Sequence, residues 1–227
     1  MAFHEMYRRW KTRPFAILEA ESRVEAVELA ARSGIDLSYA DLRGLAAPHC
    51  FLPGVDLRGV DLSGAELVGG YFRKADLRSA ILFGANLAGA RVREADLRYA
   101  DLRKAKFSGA DVRGVRLTGA KMEGTTIDWR WSGFAVELLS RDQGCRGDAL
   151  RLVGELAFDQ EERPFGWLRA LFRNTDSLEW ALGVLGRAIV PSDNAPELLR
   201  RLTADVVVDS VATPGTQLHW TRRARSA

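Results

Sequence analysis

The chain of 227 residues is 28% charged and 47% hydrophobic with a net charge of +3, which suits a buried core and excludes a disordered polymer or a disulfide-stapled miniprotein. So small a surplus sets up no one-sign field over the molecule and excludes a bulk nucleic-acid binder. Cys50 and Cys145 are the only cysteines and form no CxxC pair, so the composition indicates neither a disulfide framework nor a cysteine zinc site, and a reducing compartment.

The opening MAFHEMYRRWKTRPF lacks the apolar stretch of a secretory signal, and no apolar run approaches the roughly 20 residues that span a bilayer. The sequence therefore predicts a soluble, cytoplasmic protein with no membrane contact. Residues 1–13, with Arg8, Arg9, Lys11 and Arg13, are expected to be a mobile or docking arm. Phe15 to Leu18 reads as a strand. Ser22 with Glu25 three residues on forms a capping box that opens a helix through Ala31, stopped by Gly34.

From Ile35 to Trp129 the chain divides without insertion into 19 pentapeptides, among them ADLRG, VDLRG, VDLSG, ANLAG and ADVRG. The third residue is Leu, Phe, Val, Ile or Met in 18 of the 19, with Ala47 the exception, and the fifth is glycine in eleven. The first is mostly alanine. A helix would carry a five-residue spacing through about 500°, spreading the leucines over every face. A flat strand would send successive leucines to opposite sides. The pattern fits a solenoid of short sides, with the first and third residues inward and a bend at the fifth.

The tandem A(D/N)LxG units, such as Ala40-Asp41-Leu42-Arg43-Gly44 and Ala85-Asn86-Leu87-Ala88-Gly89, resemble the pentapeptide repeat family. The resemblance implies a mainly β fold, a right-handed quadrilateral β-helix with four pentapeptides per coil, hence 4.75 coils for the 19 units. At about 4.8 Å between stacked strands the solenoid would be about 23 Å long. The strand and helix before the first repeat are similar to those of phage and bacterial pentapeptide proteins. The implied organisation is an N-terminal arm and strand-helix cap over 1–34, the β-helix over 35–129, an all-α domain over 130–212 and a basic, disordered tail over 213–227.

With twenty residues per coil, residues twenty apart stack. Leu37, Leu57, Leu77, Leu97 and Leu117 would line one inner side, and Leu52, Phe72, Val92 and Val112 another, with Cys50 an inert core thiol beside them. Outward, Asp36, Asp56, Asp76 and Asp96 form a column parallel to Arg58, Arg78 and Arg98, so that opposite charges offset each other on a solvated surface. On the fourth side Arg73, Lys74, Arg91, Arg93 and Arg113 face only Glu94 and Asp111. This basic strip serves solubility, or receives a carboxylate- or phosphate-bearing partner. Outward Phe51 with Tyr71, and Ile81 with Phe83, are candidate contact residues, for another molecule or for a terminal segment of the same chain.

Beyond Trp129 helical spacing replaces the period of five, at Phe134, Leu138 and Leu139 and then at Leu150, Val153, Leu156 and Ala157. Further helices are predicted over 165–172, over 176–189 opened by Asp176, and over 195–209 opened near Asn194. Trp129, Trp131, Trp167 and Trp180 are expected in the core or against the last coil.

The inventory for chemistry is thin. His4, His49 and His219 show no ligand spacing, and Cys50 points away from neighbouring His49. No GxSxG, P-loop or GxGxxG is present. The sequence therefore predicts no catalytic, cofactor-binding or metal residues, no cofactor, and a non-enzymatic interaction or scaffold protein with a protein partner. The family resemblance offers a second reading, since some members mimic B-DNA and protect DNA gyrase from inhibitors. Duplex DNA would present about 14 charges over 23 Å, whereas residues 35–129 hold 12 acidic and 14 basic side chains, a poor mimic. Weak nucleic-acid binding through the strip with Arg222, Arg223 and Arg225 is the remaining alternative.

Overall fold

The structure, a computed structural model, describes residues 1–130, 132–141, 147, 149, 151–153, 156, 168–173, 175–189 and 195–210. Fourteen parallel β-bridges, from Asp41↔Asp61 to Lys106↔Thr126, all join residues twenty apart. The repeat therefore coils into a β-solenoid with four pentapeptides per turn, and the stacked side chains follow the predicted ladders.

One unit shows why the five positions differ. Asp61 N donates to Ala40 O of the coil before, while Leu62 N and Gly64 N donate to Ile81 O and Phe83 O of the coil after. Ala65 N closes the corner by donating to Leu62 O at 3.0 Å. The fourth residue's N–H finds no such carbonyl; in Ser63 it donates to Asp61 Oδ1 at 3.0 Å. A second-position Asp or Asn thus satisfies a backbone donor that the coil leaves over. Pentapeptides with apolar Ala46 and Phe51 in that place have Pro48 and Pro53 at the fourth position, which removes the donor instead. Tyr71 and Ile81 follow neither solution.

At every corner except the last, Trp129, the residue has φ near +60°, in eleven glycines and also in Tyr39, His49, Lys74, Ser79, Glu94, Tyr99 and Lys104. The aromatic corner side chains lie over a glycine one coil on. A Cβ on Gly59 would fall 2.3 Å from the Tyr39 ring, one on Gly69 2.5 Å from His49, and one on Gly119 2.5 Å from Tyr99.

At the N-terminal end β1 (Ala2–Met6) pairs antiparallel with β2 (Ala16–Ala20). Residues 1–13 are thus not a mobile arm. Arg8 bridges Ala40, Arg9 N donates to Tyr39 O, and Asp41 N donates to Tyr7 O at 2.7 Å. The segment supplies the hydrogen bonds that the first coil cannot draw from a preceding one. Helix α1 (Arg23–Arg32) is capped by Ser22, whose hydroxyl accepts from Glu25 N, while Glu25 Oε2 accepts from Glu21 N. Its Ala26, Val27 and Ala30 are buried, and Val27 and Ala30 join the solenoid's apolar interior.

At the other end α2 (Ser132–Arg141) continues that interior. Phe134 meets Phe107 edge to face at 5.5 Å, Glu137 Oε1 accepts from Gly119 N, and Arg141 Nη2 donates to Leu117 O. Residues 149, 151–153 and 156 are helical, followed by α3 (Leu168–Arg173), α4 (Thr175–Gly186) and α5 (Glu197–Ser210). The helices predicted over 176–189 and 195–209 are therefore present with ends shifted by one to three residues, while residues 165–167 of the helix predicted over 165–172 lie outside the described residues. α4 packs on α2 and α5. Trp129 is buried and Trp180 is half-buried against the same core. Trp131, Trp167, Cys145, His219 and the predicted tail over 213–227 lie outside the described residues.

Candidate interaction surface

The outer face of the solenoid is built from forks between the second and fourth residues of one pentapeptide. Asp96 Oδ1 accepts from the backbone N and Nε of Arg98, and Oδ2 accepts from Nη2 at 2.6 Å. The same fork joins Asp41 to Arg43, Asp56 to Arg58, Asp76 to Arg78, Asp101 to Arg103 and Asp111 to Arg113. The predicted offset of charge columns thus operates mainly within each unit. Asp36, whose own unit has Ser38 in place of arginine, pairs instead with Arg8 of the docked N-terminal segment at 2.9 Å.

These bonds set the acid response. The side-chain hydrogen bond from the arginine two residues on holds Asp41, Asp56, Asp96, Asp101 and Asp111 below the usual carboxylate range. Hydrogen bonds from Ser38, reinforced by Arg8, bring Asp36 down to about 2. A folded value below the unfolded one of about 3.9 gives stability that is complete above the unfolded value and lost as pH falls through the folded one. The thermal midpoint should therefore be level above about pH 5 and fall steadily from about pH 4 towards pH 2. Because the pairs are largely exposed, each contributes modestly. A midpoint constant down to pH 2 in thermal melts would show that the forks carry no net stability.

The strip residues share the fourth side but are not free cations. Arg73, Lys74 and Arg93 converge on Glu94 at 3.2, 3.4 and 3.3 Å, and Arg113 is forked to Asp111. Arg91 lies over the Tyr71 ring, 5.9 Å from its centre. Phe51 stacks on Tyr71 at 5.1 Å and 24° and stays 58% exposed. Phe51, Tyr71 and Arg91 are consecutive in one bridged column, so this half of the apolar set and the basic strip form a single surface. Glu28 of α1 reaches the upper edge, where its Oε1 accepts from Phe51 N at 2.8 Å.

Ile81 and Phe83 lie two pentapeptides further along the coil and form a separate patch. Ile81 is half-buried, and Phe83, 38% exposed, is flanked by Arg103 at 5.5 Å and Lys104 at 5.4 Å. Sequence reasoning missed Glu94 as the hub of three cations, because a corner residue's side chain has no fixed direction in the five-residue pattern. Trp10, Tyr39 and Tyr99 are exposed aromatics it also passed over.

Cys50 is buried, and desolvation pushes its thiol up to about 12, far from a reactive thiolate. Among the described residues no group of three His, Cys, Asp or Glu side chains could hold a metal ion, and no helix is long and apolar enough to cross a membrane.

A solenoid of five-residue sides, closed at both ends and decorated by Asp–Arg forks, defines the class of the fold. Residues 33–73, 69–98 and 85–124 match the family model for pentapeptide repeats in eight copies, so this segment is built of pentapeptide repeats. Similar solved structures include a pentapeptide repeat protein from the thylakoid lumen of Arabidopsis thaliana, 29% identical with a TM-score of 0.28, the match covering 38% of this chain and 64% of that one. The chain thus spans less than two thirds of that protein. A pentapeptide repeat protein from Nostoc PCC 7120 is 26% identical with a TM-score of 0.30, over 43% of this chain and 94% of that one. The plasmid-mediated fluoroquinolone resistance protein QnrB1 is 26% identical with a TM-score of 0.28, over 40% and 42%. No curated protein matches the chain.

Proposed function

We propose that the protein is a non-enzymatic interaction scaffold whose coiled repeat holds the Phe51–Tyr71–Arg91 column rigidly towards a protein partner. A right-handed, quadrilateral path of 4.75 coils belongs to this reading; the twenty-residue bridges support it. The observation that carries the proposal is exposed Phe51 stacked on half-buried Tyr71, since ordered aromatics beside cations are the side chains that anchor protein interfaces. Arg73, Lys74, Arg93 and Arg113 would steer an acidic partner towards the column.

Neutralisation of the Asp columns by arginines of the same pentapeptide weighs against DNA mimicry and protection of gyrase. A supercoiling assay in which the protein relieves quinolone inhibition would reverse that judgement. The scaffold itself is tested by quantitative affinity capture from host lysate. A stoichiometric partner should bind the full chain, be lost with Phe51→Ser/Tyr71→Ser, and be retained with Ile81→Ser/Phe83→Ser. Equal capture by all three proteins, at unchanged thermal midpoints, would remove the column from the interface.

A further inference from the structure

A second surface, unrelated to the fourth-side column, lies where the N-terminal segment crosses the first coil. The backbone bonds of Tyr7 and Arg9 to the coil fix the start of a turn, which Lys11 N closes by donating to Arg8 O at 3.0 Å. Residues 10 and 11 thereby project beside the start of α1. The result is a cleft of about 720 Å³ lined by Arg9, Trp10, Lys11, Arg23, Arg43 and Asp41, among others.

The charges in this cleft are unbalanced. Arg43 is forked to Asp41. The Arg23 guanidinium instead donates to two backbone carbonyls, Asp41 O at 2.9 Å and Arg43 O at 3.5 Å. Arg9 Nη1 donates to Gly59 O at 3.1 Å. Among the described residues Arg9, Arg23 and Lys11 make no ion pair. Two of these three cations are held in place by carbonyl groups, which orient a guanidinium without neutralising it. Lys11 is exposed at the rim.

An aromatic plane stands beside the cations. Trp10 is 62% exposed, yet its ring is positioned by Arg9 at 5.2 Å and by Tyr39 at 5.5 Å and 50°. An indole oriented by its neighbours and still largely exposed is a stacking surface for a planar ring. Three unpaired cations next to it suit a chain of phosphates. We propose that this cleft binds a nucleoside triphosphate, with the phosphates on Lys11, Arg23 and Arg9 and the base on Trp10. The same chemistry is present in a single-stranded oligonucleotide, and inorganic triphosphate carries the charge without the base.

Calorimetric titration of the full chain with ATP, inorganic triphosphate and a short single-stranded oligonucleotide separates these sources. ATP is expected to bind, and to bind more tightly than either other probe. Trp10→Ala should weaken ATP about tenfold, in line with the loss of one stacked base, and leave inorganic triphosphate unchanged. Lys11→Ala, a change at an exposed rim position, should weaken both and provides the test should Trp10→Ala disturb the N-terminal segment. No heat with ATP, an ATP affinity indifferent to both substitutions, or an oligonucleotide that binds more tightly than ATP would overturn the proposal.

Discussion

Phe107→Ala is expected to lower the unfolding free energy by about 3–5 kcal/mol, the range for removing a buried aromatic from a close-packed core. Phe107 is fully buried in the ladder of Leu67, Leu87 and Ile127, and its ring also meets Phe134 of α2 edge to face. The substitution therefore opens a cavity and loosens the lid on the last coil together. A double-mutant cycle with Phe134→Ala in denaturant unfolding should give a coupling of about 0.5–1.5 kcal/mol, the worth of an aromatic pair beyond its area. Strict additivity would mean that α2 does not rest on the coil through this contact.

Gly70→Ala should also be costly, although every neighbouring unit from 65 to 110 begins with alanine. A Cβ there would lie 2.7 Å from the Phe72 ring, 3.0 Å from Leu67 O and 3.1 Å from Cys50 Sγ. None of these atoms can move aside, because Phe72 and Cys50 are buried and Leu67 O accepts from Gly70 N at the corner. Overpacking of this kind costs about 1–3 kcal/mol. Phe72 occupies a place held by leucine or valine in the coils beside it, so Gly70→Ala/Phe72→Leu should recover most of the loss in thermal or denaturant melts. Losses that simply add would show that the small residue and the large one are not matched.

The repeat and its core were legible because burial acts on a strict period: the first and third residues have one environment in every coil, and only small and branched apolar side chains fit it. Ser22 and Glu25 announced α1 through the chemistry of four orphaned N–H groups. For residues 1–13 the sequence left a mobile and a docked arm both open, since Ala2–Met6 pairs with Ala16–Ala20 and residues 7–9 pair with the first coil largely through backbone atoms, which leave little trace in side-chain pattern. The Asp–Arg forks left a signal in the recurring D-x-R triplets at 41, 56, 76, 96, 101, 111 and 128. The spacing alone does not single out the local bond, because every one of these Asp except Asp128 also has a charged neighbour twenty residues away across the strand. Placement of the strip with the Phe51–Tyr71 pair was available from the twenty-residue register, but the capture of three cations by Glu94 depends on side-chain torsions at a corner.

Tyr39 over Gly59, His49 over Gly69 and Tyr99 over Gly119 restrict how such a gene can grow or shrink. Loss of one pentapeptide between residues 52 and 68 would bring Lys74 beneath the His49 ring in place of Gly69, set Phe51 beside Asp76, and carry everything downstream a quarter turn away from the N-terminal lid. Loss of twenty residues between residues 52 and 88 would put Gly89 beneath His49 and Arg91 beside Phe51, with each face kept on its own side. Duplication and deletion are tolerated by whole coils, so the length of the rod is inherited in steps of twenty residues and its decoration is edited unit by unit.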